Sequence, residues 1–453
     1  MLKWMQLQKF LLLTNNFNNK KIKLMSALNI AIAGFGTIGS GVAHVLEQHS
    51  KEPDATINLM GILESDTKGK FARPWFEKRP ELFYDNPDKL LADSQVNVIV
   101  ETIGGSGFSR ELITKALKNG KHVVTANKDL IAVHGAELMA VARENGRHLL
   151  FEAAVAGAIP VLRLLKDYLQ VQDIQGIRAI LNGTTNYILS EMECNDLSFE
   201  TALSQAQELG FAEQDPTNDI KGIDARYKLV ILTYLITGQW FAPEQINLEG
   251  IDHLELADFE YAERMGRSIK LIANLRLSDQ GVQVYVLPLM IKKDDMLAKI
   301  SGSTNAVTFT GKYTDDITLI GKGAGSLPTA SAIVSDLNKV QSHPEPFPQP
   351  TGSRKLEIES MDNIQFRHTL RFEVRDQPGI FGHYGSIFER HSINIYALEQ
   401  LPQYHRIGKE GEETVIFTLT LQNCKEGLVH KALKEINQAD YMLKPVVLLR
   451  EIV

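Results

Sequence analysis

The chain is predicted to be an α/β protein in three parts: a doubly wound parallel-sheet unit at residues 28–150, an α+β unit at 151–340, and a small βαββαβ unit at 361–453. Three observations in its 453 residues carry that prediction. Through the first 150 residues, short apolar runs alternate with helix-length amphipathic stretches, as buried parallel strands and their crossover helices do. Long helical patterns mixed with strand patterns follow. A segment holding four prolines, QSHPEPFPQPTGS, then sets off the last hundred residues and reads as the heart of a linker at 341–360.

In the first unit, residues 29–33, 58–63, 97–101, 122–125 and 148–151 are apolar runs of strand length. Helices are expected at 38–48, 109–119 and 135–145; the last two end in Asn-Gly, a helix stop. In the second unit, strands are expected at 176–181 and 282–289, and helices at 199–209, 224–237 and 257–269. The third unit reads strand 366–374, helix 382–391, strands 394–400 and 413–421, helix 427–436 and strand 446–451. That order is the ferredoxin-like plan. Residues 1–27 are rich in Asn and Lys, with an apolar run at 10–13 too short for a signal-peptide core. They read as a disordered extension, or as a start placed too early with Met25 as the true beginning.

Composition narrows the function. With 44% hydrophobic and 23% charged residues the chain is ordinary globular material. A net charge of -7 argues against a nucleic-acid partner. No apolar run is long enough to cross a bilayer, so no membrane partner and a cytoplasmic location are expected. Cys194 and Cys424 match no metal-ligand or redox spacing and read as two reduced thiols.

The strand at 29–33 runs straight into GFGTIG and then a helix, the setting in which this glycine pattern binds a dinucleotide in a Rossmann unit. Gly34 permits the tight turn, Gly36 lets the backbone approach the pyrophosphate, and Gly39 lets helix and strand pack closely. Thr37 and Ile38 begin the helix whose free N–H groups face the phosphate charge. NAD and NADP stay open: Glu64 stands where a carboxylate bonds the ribose hydroxyls, while Lys68 and Lys70 suit a 2′-phosphate. Solvated loop charges are the alternative reading of all three. Thr102 and Lys128 end two further strands at the carboxyl edge of the sheet, where ligands bind. A plain surface lysine is the alternative reading of Lys128.

The most informative stretch is LGFAEQDPTNDIKGIDARYKLVILTYLIT, residues 209–237. Glu213, Asp215, Asp219 and Asp224 sit in a Gly/Pro-punctuated loop before a helix that is apolar almost all round. Asp224 and Lys228 are spaced i,i+4 on that helix, in the favourable order for an ion pair. Lys228 shares its face with Ile231, Leu232 and Leu235, so it needs a partner. A structural pair tying helix to loop is one reading. The other is catalytic: hydride transfer to a carbonyl needs a cation or proton donor beside the developing alkoxide. A carboxylate such as Glu213 would then hold a substrate ammonium group.

Taken together, GFGTIG, TANK (125–128), FEAAVAGAIPV (151–161), LNGTTNYIL (181–189), GFAEQDPTNDIKGIDARYK (210–228) and GKGAGSLPTASAIVSDL (321–337) closely resemble homoserine dehydrogenases. The resemblance implies NAD- or NADP-dependent interconversion of L-homoserine and L-aspartate 4-semialdehyde, feeding threonine, methionine and isoleucine synthesis. It implies that Lys228 donates the proton to the aldehyde oxygen. Lys128 would be a second active-site lysine touching substrate and cofactor. Glu213 would bind the amino group, Asp219 would orient the substrate and Asp224 would support Lys228. Gly323 lies in the late glycine-rich segment that returns toward the cofactor. Glu152, Val155, Gly157 and Ile159 match the family's structural sodium site, built mainly from backbone carbonyls. A homodimer or homotetramer is also implied.

In the third unit, VRDQPGIFG (374–382) resembles the loop of the ACT family of amino-acid-binding domains. Such domains pair side by side and bind their ligand at the interface; the implied ligand is threonine as a feedback inhibitor, held by Asp376, Gly379 and Asn394, and a mere dimerisation module is the competing reading. Two other functions compete with the whole assignment. Another amino-acid or semialdehyde dehydrogenase would keep the glycine loop and change the substrate, although Cys194 has no nucleophile's setting. A non-enzymatic NAD- and amino-acid-binding regulator would have no use for Lys128, Glu213 and Lys228 together.

Overall fold

The structure is a computed structural model that describes residues 27–51, 56–343, 355–400, 402–407 and 413–452. The expected extension at 1–27 lies almost wholly outside the described residues.

The first sheet is six-stranded and entirely parallel, in the order β3-β2-β1-β4-β5-β6. Its strands are β1 (Leu28–Ala33), β2 (Ile57–Leu63), β3 (Phe83–Tyr84), β4 (Val98–Glu101), β5 (His122–Thr125) and β6 (Leu149–Leu150). β1, β4 and β5 are buried along nearly their whole length, as expected of strands covered on both faces. The order reverses direction beside β1, which puts a ligand crevice at its carboxyl end. Sequence patterning missed β3 and the short helices Arg73–Lys78 and Pro87–Ala92 around it.

The Ser326–Ser342 helix corrects the expected boundary at 340. Its Ala330, Ile333, Leu337 and Val340 join Ile30, Ile32, Val42 and Val100 in one apolar cluster, so a helix late in the chain completes the first unit.

The other strands form one mixed sheet. They are β7 (Ile174–Ile180), β8 (Asn247–Leu248), β9 (Arg267–Ser278), β10 (Gly281–Lys292), β11 (Thr304–Gly311), β12 (Asp315–Lys322), β13 (Gln365–Arg375), β14 (Ile395–Gln400), β15 (Arg406–Ile407), β16 (Glu413–Leu421), β17 (Cys424–Lys425) and β18 (Val447–Ile452). The helix expected at 257–269 ends at Arg264; Gly266 at φ +66° stops it and β9 begins at Arg267. β9 is buried on both faces, so it carries no period-2 signal and its apolar start read as helix.

The last unit has the expected βαββαβ order, with strands arranged β18-β13-β16-β14, all antiparallel. It is fused to the middle unit through the parallel contact of Leu289 in β10 with Arg450 in β18. The expected linker is partly structured. Residues 344–354 lie outside the described residues, but Ile358 bridges to Val282 and the Leu356 N–H donates to Gln239 Oε1 at 3.0 Å.

Candidate active site

The glycine loop behaves as its sequence requires. Gly34 has φ +89°, and a Cβ there would lie 2.8 Å from backbone atoms of Thr102 and Ile103. A Cβ on Gly39 would lie 2.0 Å from the Gly34 carbonyl oxygen, whereas one on Gly36 would meet nothing within 4 Å. The space above Gly36, at the N-terminus of the Thr37–His49 helix, is therefore open, and it fits a dinucleotide pyrophosphate. Thr102 turns inward: its hydroxyl donates to the Gly34 carbonyl at 2.7 Å and braces the loop. Glu64 does likewise, accepting the Phe35 N–H at 2.8 Å and the Asp66 N–H at 2.9 Å. Lys68 and Lys70 are exposed.

Facing this loop is a cleft of about 780 Å³, lined by Lys128, Asn182, Glu213, Asp219, Asp224, Lys228 and the Lys322–Gly325 segment, among others. The Ile223–Thr237 helix starts at Gly222, whose φ of +77° makes the sharp entry, and it aims its first turns into the cleft. Lys228 is buried and donates to the Leu181 carbonyl and to Asp224 Oδ2, both at 2.7 Å. Asp224 also takes Lys128, Nζ to Oδ1 3.3 Å, and Lys128 lies 3.5 Å from Asp129. Burial opposes the charge of Lys128, but Asp224 and Asp129 outweigh it and hold its pKa above the usual lysine value. Burial likewise opposes the charge of Asp224, and the two ammonium groups reverse it and hold the carboxyl low. Asp219 is pushed up, first by desolvation. Glu213 is an exposed rim residue. Asp215 is spent locally, accepting from the Thr217 N–H and hydroxyl.

Lys128, Asp219, Asp224, Lys228, Glu213 and Gly323 therefore share one cleft. Asn182 and Asn305 in the cleft, and Ser326 beside it, are given no role by the sequence, although Asn182 and Ser326 lie inside the LNGTTNYIL and GKGAGSLPTASAIVSDL runs. Asn182 caps the Gly183–Asn195 helix by accepting the Thr185 N–H at 2.8 Å and donates to Asp219 and Asp224. Asn305 donates to the Leu181 carbonyl at 2.9 Å and lies over Gly323, where a Cβ would sit 2.0 Å from its Nδ2. Ser326 donates to the Thr37 carbonyl at 2.7 Å, joining the starts of two helices. An Asn between strand and helix patterns was the one available signal, since Asn is a favoured cap.

Glu152, Val155, Gly157 and Ile159 lie on one turn beside the cleft. Ala156 (φ +56°) and Gly157 (φ +55°) are both left-handed, and a Cβ on Gly157 would lie 2.6 Å from the Gly323 carbonyl oxygen. Glu152 is buried, accepts the Leu162 N–H at 2.9 Å, and through its own N–H binds Asp336 Oδ2 at 2.9 Å. Burial, then the neighbouring Asp336, raises its carboxyl to about 7.

The proposed regulatory residues do not meet within one chain. Gly379 (φ +95°) opens the Ile380–Arg390 helix close to Asp376, whose N–H binds the Glu413 carbonyl. The Asn394 carbonyl instead accepts the Gln422 N–H. The register of β13 with β16, Arg375 opposite Thr414 and Thr369 opposite Thr420, puts these two places at opposite ends of the sheet. Within one chain, Asn394 and Asp376 thus lie one strand length apart.

Two family models match the chain: "Homoserine dehydrogenase, NAD binding domain" at residues 34–152 and "Homoserine dehydrogenase" at 160–337. The homoserine dehydrogenase of Neisseria gonorrhoeae is 35% identical over 94% of this chain and 99% of that protein. A crystal structure of a homoserine dehydrogenase from Thiobacillus denitrificans superposes with a TM-score of 0.84 at 34% identity, over 94% of this chain and 98% of that one. A hyperthermophilic archaeal homoserine dehydrogenase in complex with NADPH superposes at a TM-score of 0.60 and 28% identity, over 71% of this chain and 99% of that one.

Proposed function

Because the chain belongs to the homoserine dehydrogenase family, NAD(P)-dependent oxidoreductases that interconvert L-homoserine and L-aspartate 4-semialdehyde, we propose that Lys228 is its proton donor and that the cleft around it is the catalytic site. The observation that carries this reading is the double anchoring of one buried ammonium group. An ammonium has three donors; Leu181 and Asp224 take two at 2.7 Å, and the third is left for the cleft. The nicotinamide supplies or accepts the hydride when bound. Lys228 gives its proton to the aldehyde oxygen as that oxygen gains charge, and takes it back in the reverse direction. Asp224, held between Lys228 and Lys128, aligns both lysines and keeps Lys128 protonated. Lys128 adds a second positive charge beside the developing alkoxide. Glu213 takes the substrate ammonium at the rim and Asp219 orients the substrate. Gly34, Gly36, Thr37, Ile38, Gly39, Thr102 and Gly323 hold the dinucleotide. NADPH in the archaeal relative favours NADP, in agreement with a Glu64 already engaged by two backbone N–H groups. The product then feeds threonine, methionine and isoleucine synthesis.

The turn through Val155, Gly157 and Ile159 with Glu152 is assigned to sodium. Two consecutive left-handed residues, one of them an alanine, are a strained arrangement that a bound ligand stabilises, and a hard monovalent cation suits carbonyl oxygens and one carboxylate. Its role is structural, bracing Gly323. The melting temperature is expected to be higher in sodium chloride than in choline chloride of equal ionic strength. Glu152→Gln should abolish that difference; a sodium effect that survives the substitution would remove Glu152 from the site.

The last unit is assigned as an ACT-type regulatory domain binding threonine at the Asp376–Gly379 loop, with the enzyme assembling as a homodimer or homotetramer. A route to the catalytic loop supports regulation. Arg450 of β18 binds Glu249 at 2.8 Å and Arg371 of β13 binds Asp258 at 2.7 Å. Two residues beyond Glu249, the Ile251 N–H donates to the Ile220 carbonyl at 2.9 Å, and Asp252 pairs with Lys221 at 2.7 Å. The segment between Asp219 and Asp224 is thus tied to the last unit by a continuous chain of hydrogen bonds and ion pairs. Threonine is expected to inhibit the wild type, and Gly379→Asp to remove that inhibition with the uninhibited kcat unchanged. Equal threonine inhibition of both would refute the assignment.

A further inference from the structure

The structure assigns Asn182 as the residue that positions the two carboxylates of the cleft, Asp219 and Asp224, and through Asp224 the ammonium group of Lys228. The inference rests on the catalytic reading of Lys228 given above. Asn182 lies two residues beyond the end of β7, is 5% exposed, and uses both ends of its carboxamide. Its Oδ1 accepts the Thr185 N–H at 2.8 Å and caps the Gly183–Asn195 helix. Its Nδ2 donates to Asp219 Oδ1 at 2.6 Å and to Asp224 Oδ2 at 2.9 Å.

No other capping side chain does all three. Ser and Thr cap equally well but carry one proton. Asp caps but would set a third carboxylate against two existing ones. Asn alone offers an acceptor for the cap and two separate N–H groups for two separate acceptors. Its neighbour Leu181 supplies the carbonyl that anchors Lys228. The corner at residues 181–182 therefore fixes the donor lysine through a backbone oxygen and its counter-ion through a side-chain amide. Asp224 Oδ2 receives Asn182 and Lys228 together, which sets the rotation of the carboxylate and leaves Oδ1 for Lys128. Without the amide, Asp224 is free to turn toward either lysine, and the donor loses its fixed direction. Displacements of about 1 Å at such a distance cost on the order of 100-fold in rate.

The charged groups facing Asn182 are Asp219, Asp224, Lys228 and, through Asp224, Lys128. A donor to a carboxylate favours its ionised form. Removing the amide therefore raises the pKa of Asp219 and Asp224, and the acid limb of the pH–rate profile moves to higher pH.

The test is Asn182→Ser, which keeps the helix cap and removes the bridge. In homoserine oxidation, kcat per folded enzyme is expected to fall by about 10- to 100-fold. The acid limb should shift upward, with the KM for dinucleotide and the melting temperature close to wild type. Asn182→Asp, closer in shape and an equally good cap, is expected to be the slower of the two. Wild-type kcat and acid limb in Asn182→Ser would overturn the inference, as would a loss of activity that matches loss of folded protein. Lys228→Met separates the two levels. If it keeps turnover, the reading of Lys228 fails whatever Asn182 does. If it is inactive while Asn182→Ser behaves as wild type, only the role of Asn182 fails.

Discussion

Lys228→Ala is expected to lower kcat for homoserine oxidation by about 100- to 10,000-fold, the range a positioned proton donor supplies, while the protein stays folded. The fold survives because of what remains in place. Stranding a buried charge costs about 3–5 kcal/mol, but Asp224 keeps Lys128 at 3.3 Å and the Asn182 amide at 2.9 Å, so the loss should fall below that range. The Leu181 carbonyl keeps Asn305 as a donor at 2.9 Å. Dinucleotide binding, which uses the glycine loop and not the Lys228 side chain, should change little. Parallel measurements of kcat, dinucleotide KM and thermal melting decide the matter. A variant within tenfold of wild-type kcat would take Lys228 out of the chemistry, and one that cannot fold would mark it as a structural pair.

The second large effect is a contrast between two glycines three residues apart. Gly36→Ala should fold with an unchanged melting temperature, since its methyl group meets no atom within 4 Å. It should nevertheless weaken dinucleotide binding by more than tenfold, because the methyl occupies the space above the helix start. Gly39→Ala should lose both stability and binding. Its methyl would sit 2.0 Å from the Gly34 carbonyl oxygen and 2.9 Å from the Thr102 hydroxyl, so backbone must move, at a cost of about 1–3 kcal/mol or more. Fluorescence titration with NAD and NADP, beside melting curves, reads both quantities. Equal behaviour of the two variants would mean that the open space above Gly36 is not where the dinucleotide lies.

The first sheet and the catalytic cleft differ in how far the sequence exposes them. β1, β4 and β5 are legible because strands buried on both faces appear as unbroken apolar runs, and GFGTIG marks the turn between β1 and its helix. Lys228 and Asp224 are legible because a charged i,i+4 pair stands at the head of an otherwise apolar helix. Asn182 is not, because a capping Asn looks the same whether it holds one N–H or three groups. The Ser326–Ser342 helix follows the middle unit in chain order, and only tertiary packing brings its Ile333 and Leu337 into one cluster with Ile30 and Ile32 of β1. The helix forecast through Ile269 failed because Arg267–Ser278 is buried on both faces and carries no alternation.

A crystal structure of the ternary complex with NADP and L-homoserine addresses the proton donor most directly. The Lys228 ammonium should lie within about 3.2 Å of the homoserine hydroxyl oxygen while keeping its bonds to Leu181 and Asp224. A hydroxyl bound to Lys128 alone, or a Lys228 turned away from the substrate, would contradict it.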